Sequence, residues 1–160
     1  MEIWTDGSCD NDNGVGGWAY VIVQEGKKIL QVSDGDVDTT NNRMEMAAVI
    51  EGLKHPLCAG KSITVVSDSA YVINCFKQKW YVKWLQNGWI SSSGLPVKNM
   101  DLWKQLINIV IKHEGRVSWR HERGHQKKGL APFNDLADSL ADSARRRLIE
   151  QMNLNDGHVD

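Results

Sequence analysis

SITVVSD, residues 62–68, is the stretch that decides the fold. It is short, β-branched and apolar at both alternating sets of positions, the pattern of a central strand covered on both faces. Asp68 closes it, and from residue 69 to about 77 the apolar spacing turns helical. A carboxylate at that point stands at the C-terminal edge of an α/β sheet, where ligands usually bind.

Working outward, residues 2–6, 15–24 and 27–34 read as three strands of an antiparallel meander, with a tight turn at Gly26 and Lys27. Met46, Val49, Ile50 and Leu53 recur at helical spacing from Asn42 to about Lys54, and Pro56 stops the run. KWYVKWLQNGW, residues 79–89, sets Trp80 and Trp84 one turn apart, with Trp89 after a glycine break. Leu102, Trp103, Leu106, Ile109 and Val110 mark another helix, RVSWR at 116–120 a strand, and residues 121–132 a loop. Pro132 suits the start of a last helix carrying Phe133, Leu136, Leu140, Ala144 and Leu148 inward. On that helix Asp138 and Asp142 read as solvated, Asp142 being spaced to pair with Arg146. The order βββαβαααβα describes an α/β fold, a single mixed sheet with helices on it. Residues 1–150 are expected to form one domain and 151–160 a flexible tail.

At 160 residues the chain is one domain's worth, and 41% hydrophobic with 24% charged residues excludes disordered and fibrous classes. No basic leader, apolar signal or membrane-length apolar run is present, so a cytoplasmic protein without membrane partners is expected. Cys9, Cys58 and Cys75 lack CxxC spacing and suit free thiols in a reducing compartment. The net charge of −1 hides an asymmetry: residues 77–128 carry eleven Lys/Arg against three acids, leaving the rest acidic. A basic surface beside an acidic site suits a polyanion held near cations, although such runs also occur as plain solvated faces.

Asp6 closes the first strand as Asp68 closes the central one, while Glu45 and Asp135 open helical patterns. Each has an ordinary reading. Asp6 and Asp68 suit turn residues, Glu45 completes a capping box with Asn42, and Asp135 complements a helix dipole. Drawn together, however, four carboxylates repel unless cations neutralise them, and all-oxygen ligation favours magnesium or manganese. His121 and His125 have zinc-like spacing but no evident third ligand. His125 sits in a glycine-flanked loop from which it can swing toward the last helix. The first loop, DNDNGVGG at 10–17, lacks EF-hand spacing. Most of the seven tryptophans read as core; Trp80 and Trp84, interleaved with Lys77, Lys79 and Lys83, are equally suited to stacking on nucleic acid.

Taken in order, TDGSC at 5–9, TTNNRMEM at 39–46, SDSAYV at 67–72, PVKNMDLW at 96–103, and GH at 124–125 followed by NDLAD at 134–138 resemble type 1 ribonuclease H over nearly the whole chain. The resemblance implies a five-stranded mixed sheet, three antiparallel strands plus two parallel, flanked by helices. It implies that Asp6, Glu45, Asp68 and Asp135 hold two magnesium or manganese ions, about 3.5–4 Å apart. The implied activity is endonucleolytic cleavage of the RNA strand of RNA/DNA hybrids, leaving 5′-phosphate and 3′-hydroxyl ends, by a protein expected to be a stand-alone monomer. His125 matches a mobile loop histidine serving proton handling or product release. Cys9, Asp12, Asn41 and Asn42 match contacts to the hybrid's minor groove, Thr40 and Asn99 a pocket for a DNA-strand phosphate. Trp80, Lys83, Trp84 and Lys98 match the protrusion that grips the DNA strand. Asn99 also reads as an N-cap.

The chain departs from the family in three places. Its first loop is acidic, so a carboxylate replaces an amide at Asp12. Ala70, Ile73 and Asn74 stand where relatives carry polar contacts, and Ser91, Ser92, Ser93 and Gly94 replace a lysine-rich stretch. Weaker, salt-sensitive hybrid binding with intact chemistry is the expectation. A DNA-directed nuclease of related fold and a non-catalytic hybrid-binding module are the alternatives. Hybrid-selective cleavage separates the first, and four repelling acids argue against the second.

Overall fold

Five strands form one mixed sheet in the computed structural model, which describes residues 1–123 and 132–156. In chain order they are β1 (Glu2–Cys9), β2 (Gly16–Gln24), β3 (Lys27–Asp36), β4 (Ile63–Ser67) and β5 (Val117–His121). Across the sheet the order is β3-β2-β1-β4-β5. The first three are antiparallel, β4 runs parallel to β1, and β5 parallel to β4, as the sequence leads one to expect. The β2–β3 turn is built on Glu25 and Gly26, at φ 53° and 75°, rather than on Gly26 and Lys27. A two-residue turn of this hand requires positive φ at both central positions, which sets it one residue earlier.

The central strands are buried on both faces, and two separate clusters result. On one side α1 (Asn41–Lys54) and α4 (Met100–Lys112) bring Met46, Val49, Ile50, Trp103 and Leu106 onto Ile3, Ile22 and Val65. Each fully buried aliphatic side chain contributes about 1.5–3 kcal/mol. Trp103 meets its polar requirement by donating Nε1–H to the Tyr71 hydroxyl at 2.9 Å. On the other side α5 (Pro132–Asp156) packs Ala137, with Phe133, Leu136 and Leu140, against Trp4, Val21, Val23 and Val66. Two short helices, α2 (Ala70–Lys77) and α3 (Trp80–Asn87), connect β4 to α4. Among the described residues no helix is long and apolar enough to cross a membrane.

Three local expectations are corrected. The N-cap of α1 is Thr40, in extended conformation, whose side chain accepts the Arg43 amide at 3.2 Å. Asn42 therefore lies inside the helix and Glu45 falls beyond the first turn, too far along to close a capping box. Asn99 does occupy the cap position of α4, but at φ 58° and without a side-chain cap bond, because its amide is engaged elsewhere. Helix α5 continues through Asp156, so residues 151–156 are helical, not a frayed tail. Nothing between Pro132 and Asp156 breaks a helix; the first glycine is Gly157, and residues 157–160 lie outside the described ones.

Helix α5 approaches the sheet closely because Gly17 lies beneath its backbone. A Cβ there would overlap the Ala141 carbonyl and come within 2.7 Å of the Arg145 amide. Gly17→Ala is accordingly expected to lower unfolding free energy by about 3 kcal/mol or more. Urea denaturation checks this; a loss below about 1 kcal/mol would show that the α5 contact yields easily.

Candidate active site

Asp6 and Asp68 meet because β1 and β4 are parallel neighbours whose register ends together. The last paired residues are Thr5 and Ser67, and each acid is the next residue along. The β4–α2 turn is shaped by two serines: Ser67 Oγ accepts the Ser69 amide at 3.0 Å, and Ser69 Oγ caps α2 through the Val72 amide at 3.3 Å. Glu45 arrives from above. Gly7 permits this, since a Cβ there would overlap the α1 backbone at Glu45 and stand 2.8 Å from Met44 Cβ. One ligand oxygen from each of Asp6, Glu45 and Asp68 lies within 4.8 Å of the other two.

Three carboxylates this close strain their own ionisation. Burial, together with the charge of Asp68 and a bond to Asp138, pushes the Asp6 carboxyl up to about 7, against the pull of Glu45 and the Gly7 amide. The Gly7 N–H donates to Asp6 Oδ1 at 2.9 Å. Glu45 is pushed well above the usual range by burial and then by Asp6. Its Oε2 is buried with no hydrogen-bond partner. Asp68 is raised by burial and by the charge of Asp138. A buried oxygen without a donor, inside a set of acids that resist losing protons, fits a divalent cation that would satisfy the oxygen and cancel the repulsion.

Asp135, expected as the fourth acid, does not act on this cluster, whereas Asp138 does. Asp135 is exposed in the first turn of α5, where it suits the helix dipole, and it contributes to none of these shifts. Asp138, one turn later, acts on both Asp6 and Asp68. The helix lays Asn134, Ala137, Ala141 and Ala144 on the protein. Both acids are exposed, but at ~100° per residue Asp138 lies beside that buried stripe while Asp135 lies farther round the helix. Reading the stripe from its alanines would have given the register; the larger Phe133, Leu136 and Leu140 pull it round.

The RNase H family matches residues 1–146. The chain belongs to the ribonuclease H family. It is 44% identical over 151 residues to the Ribonuclease H of Thermoanaerobacter sp. (strain X514), covering 94% of this chain and 93% of that protein. It is 41% identical over 141 residues to that of Hahella chejuensis (strain KCTC 2396), covering 88% and 90%. Its fold is similar to LC9-RNase H1, a type 1 RNase H with the type 2 active-site motif, at TM-score 0.70 and 29% identity over 90% of this chain and 71% of that one. A foamy viral protease-reverse transcriptase in complex with RNA/DNA hybrid shares the fold, at TM-score 0.77 and 23% identity over 90% of this chain and 20% of that one. The chain is thus a ribonuclease H enzyme of a metal-dependent family, with an acidic group suited to the metal.

The remaining residues expected to serve this ribonuclease H fall into separate groups. Cys9 and Asn41 are joined, the Cys9 amide donating to Asn41 Oδ1 at 2.7 Å, with exposed Asn42 beside them. Asp12 is exposed at the tip of the first loop, its amide held by Asp10 Oδ1 at 2.9 Å. Thr40 and Asn99 come together through a residue the sequence reading passed over. Arg43 donates its amide to Thr40 and its Nη1 to Asn99 Oδ1 at 3.3 Å, and pairs bidentately with Asp101 at 2.9 and 2.7 Å. That pairing holds the Asp101 carboxyl down at about 2. A cation in the first turn of a helix opposes the macrodipole, and that conflict was the available signal. Asn99 Nδ2 donates in turn to the Tyr71 hydroxyl at 3.2 Å.

The tryptophan segment divides. Trp84 packs inward on Trp103, with ring centroids 5.5 Å apart, so core packing claims much of it. Trp80, Lys83 and Trp84 nevertheless line a groove of about 690 Å³ with Asn87, Ile90 and Ser92. Lys98 is exposed near the start of α4. His125 lies outside the described residues.

Because the folded cluster holds protons more tightly than the unfolded chain, its contribution to stability is fully present below pH about 4. It is lost as pH rises through about 7, the value to which Asp6 is raised. Cation-free protein should lose melting temperature between pH 5 and 8, and Asp6→Asn should flatten that slope and stabilise the cation-free protein at pH 8 by about 1–3 kcal/mol. A calorimetric pH series in chelator checks this; an Asp6→Asn protein less stable than wild type at pH 8 would contradict the repulsion.

Proposed function

We propose that the protein hydrolyses the RNA strand of RNA/DNA hybrids within the strand, leaving 5′-phosphate and 3′-hydroxyl ends, with two magnesium or manganese ions at the carboxylate site. The observation that carries this is the convergence of Asp6, Glu45 and Asp68 within 4.8 Å, flanked by Asp138, in a chain of the ribonuclease H family. The foamy viral relative in fold, solved with RNA/DNA hybrid, supports the substrate class.

Asp6, Glu45, Asp68 and Asp138 would hold the cations. Bound there, divalent ions supply Lewis acidity toward the attacking water and the leaving 3′ oxygen. The Cys9 and Asn41 pair, with Asn42 and Asp12, faces the minor groove, where the 2′-hydroxyl distinguishes RNA from DNA. Arg43, oriented by Asp101 and joined by Thr40 and Asn99, takes a DNA-strand phosphate through its fixed guanidinium fork. The Trp80 and Trp84 groove, with Lys83 and Lys98, holds the DNA strand farther along, with fewer cations than a lysine-rich protrusion would supply. His125 assists proton transfer or product departure.

The test is incubation of a labelled hybrid with magnesium, manganese or chelator. Asp6→Asn, Asp68→Asn and Asp138→Asn should each lower turnover by about 100-fold or more, whereas Asp135→Asn should stay within about 3-fold. Cleavage that survives Asp6→Asn and Asp68→Asn, or that needs Asp135 and not Asp138, would overturn the assignment. Equal cleavage of DNA duplex would transfer the activity to DNA.

A further inference from the structure

We infer that His121 is a positioning residue for the carboxylate cluster, its Nε2–H holding the Asp68 backbone carbonyl so that the Asp68 side chain is presented to Asp6 and Glu45. This rests on the reading of that cluster as a cation site. The β4–β5 ladder ends at the pair Ser67 and His121, and the Glu122 amide makes the last backbone bond, to the Ser67 carbonyl at 3.0 Å. Asp68 lies one residue past that end, between strand and helix, where no strand partner reaches its carbonyl. His121 Nε2 does, at 3.0 Å. A carbonyl only accepts, so Nε2 carries the hydrogen and the neutral ring suffices. The side chain thus extends the ladder by one residue at the point where the chain turns to deliver a ligand.

The histidine is itself anchored. Trp119, two residues earlier and on the same face of β5, stacks on Phe76 of α2 at 4.0 Å between centroids and 4° between planes. On the opposite face Arg120 donates to Glu2 Oε2 at 2.9 Å and lies over Trp4. The strand end is therefore fixed from both sides, and the bond to Asp68 transmits that fixity to the site. Residues that orient metal ligands from behind typically change metal affinity or activity 10–100-fold when removed.

Gln places its amide nitrogen as many bonds from Cα as His places Nε2, whereas Asn stops at the distance of Nδ1. Manganese affinity, measured by titration calorimetry without substrate, should fall about 10-fold in His121→Ala and His121→Asn and return to within about 3-fold of wild type in His121→Gln. At limiting metal, kcat for a hybrid should follow the same order, with KM for the hybrid within about 2-fold of wild type. Unchanged manganese affinity in His121→Ala overturns the proposal. So does a His121→Gln protein as impaired as His121→Ala, or a loss carried wholly by KM, which would make His121 a substrate contact. Asp6→Asn serves as the control: if it leaves manganese binding intact, the cation-site reading fails and takes this proposal with it. If it abolishes binding while His121→Ala does not, only the role of His121 is lost.

Discussion

Like charge confined to a poorly solvated hollow is the constraint on which the rest of this molecule depends. At separations up to 4.8 Å, two ionised carboxylates repel by about 3 kcal/mol at an effective dielectric near 20. No local preference of the chain would bring Asp6, Glu45 and Asp68 together against that cost. They are held by parallel pairing of β1 with β4, by the absence of a side chain at Gly7, and by a core in which Ile3, Val65, Met46 and Val49 have essentially no exposed surface. Packing therefore opposes electrostatics, and proton uptake or cation binding relieves the conflict.

That opposition explains which features were legible in the sequence. The strands were plain, because residues 62–68 and the alternating meander carry their periodicity locally. Asp68 was placed at the end of its strand because that end is fixed by the strand itself; Asp6 was expected to close the first strand, but β1 continues to Cys9 in its pairing with β2, and only the pairing with β4 stops beside Asp6. Asp138 was not legible. Its position depends on which face of α5 meets the sheet, and that face is set by Gly17, far away in sequence, which lets a stripe of alanines approach closest, with the larger Phe133, Leu136 and Leu140 packing beside it. The start of α1 shifted for a similar reason: Thr40 and Asn42 both suit a cap, and only tertiary context decides. Arg43 was overlooked because its partner, Asp101, belongs to another helix.

The acidic first loop acquires a different meaning once α5 is in place. Arg145 lies 3.9 Å from Asp10 and also pairs with Asp142, so part of the loop's negative charge is neutralised from behind. Asp12 makes no ion pair among the described residues. An unpaired negative charge thus remains at the exposed tip of the loop, at Asp12. Carboxylates only accept hydrogen bonds, so Asp12 suits a hydroxyl or amino donor and is repelled by the acceptors that an amide would tolerate.

The chain's basic segment and its carboxylate cluster lie on different parts of the sequence and fold. Residues 77–98 contain four lysines and no acid, and Arg43 adds a fixed guanidinium, whereas the carboxylate site by itself repels phosphate. A polyanion could be attracted by the basic segment and by Arg43 without a divalent ion; bringing a phosphate up to the carboxylate cluster needs one to offset the repulsion. Such a division makes cation loading and final positioning of the substrate thermodynamically linked, since each supplies charge that the other lacks.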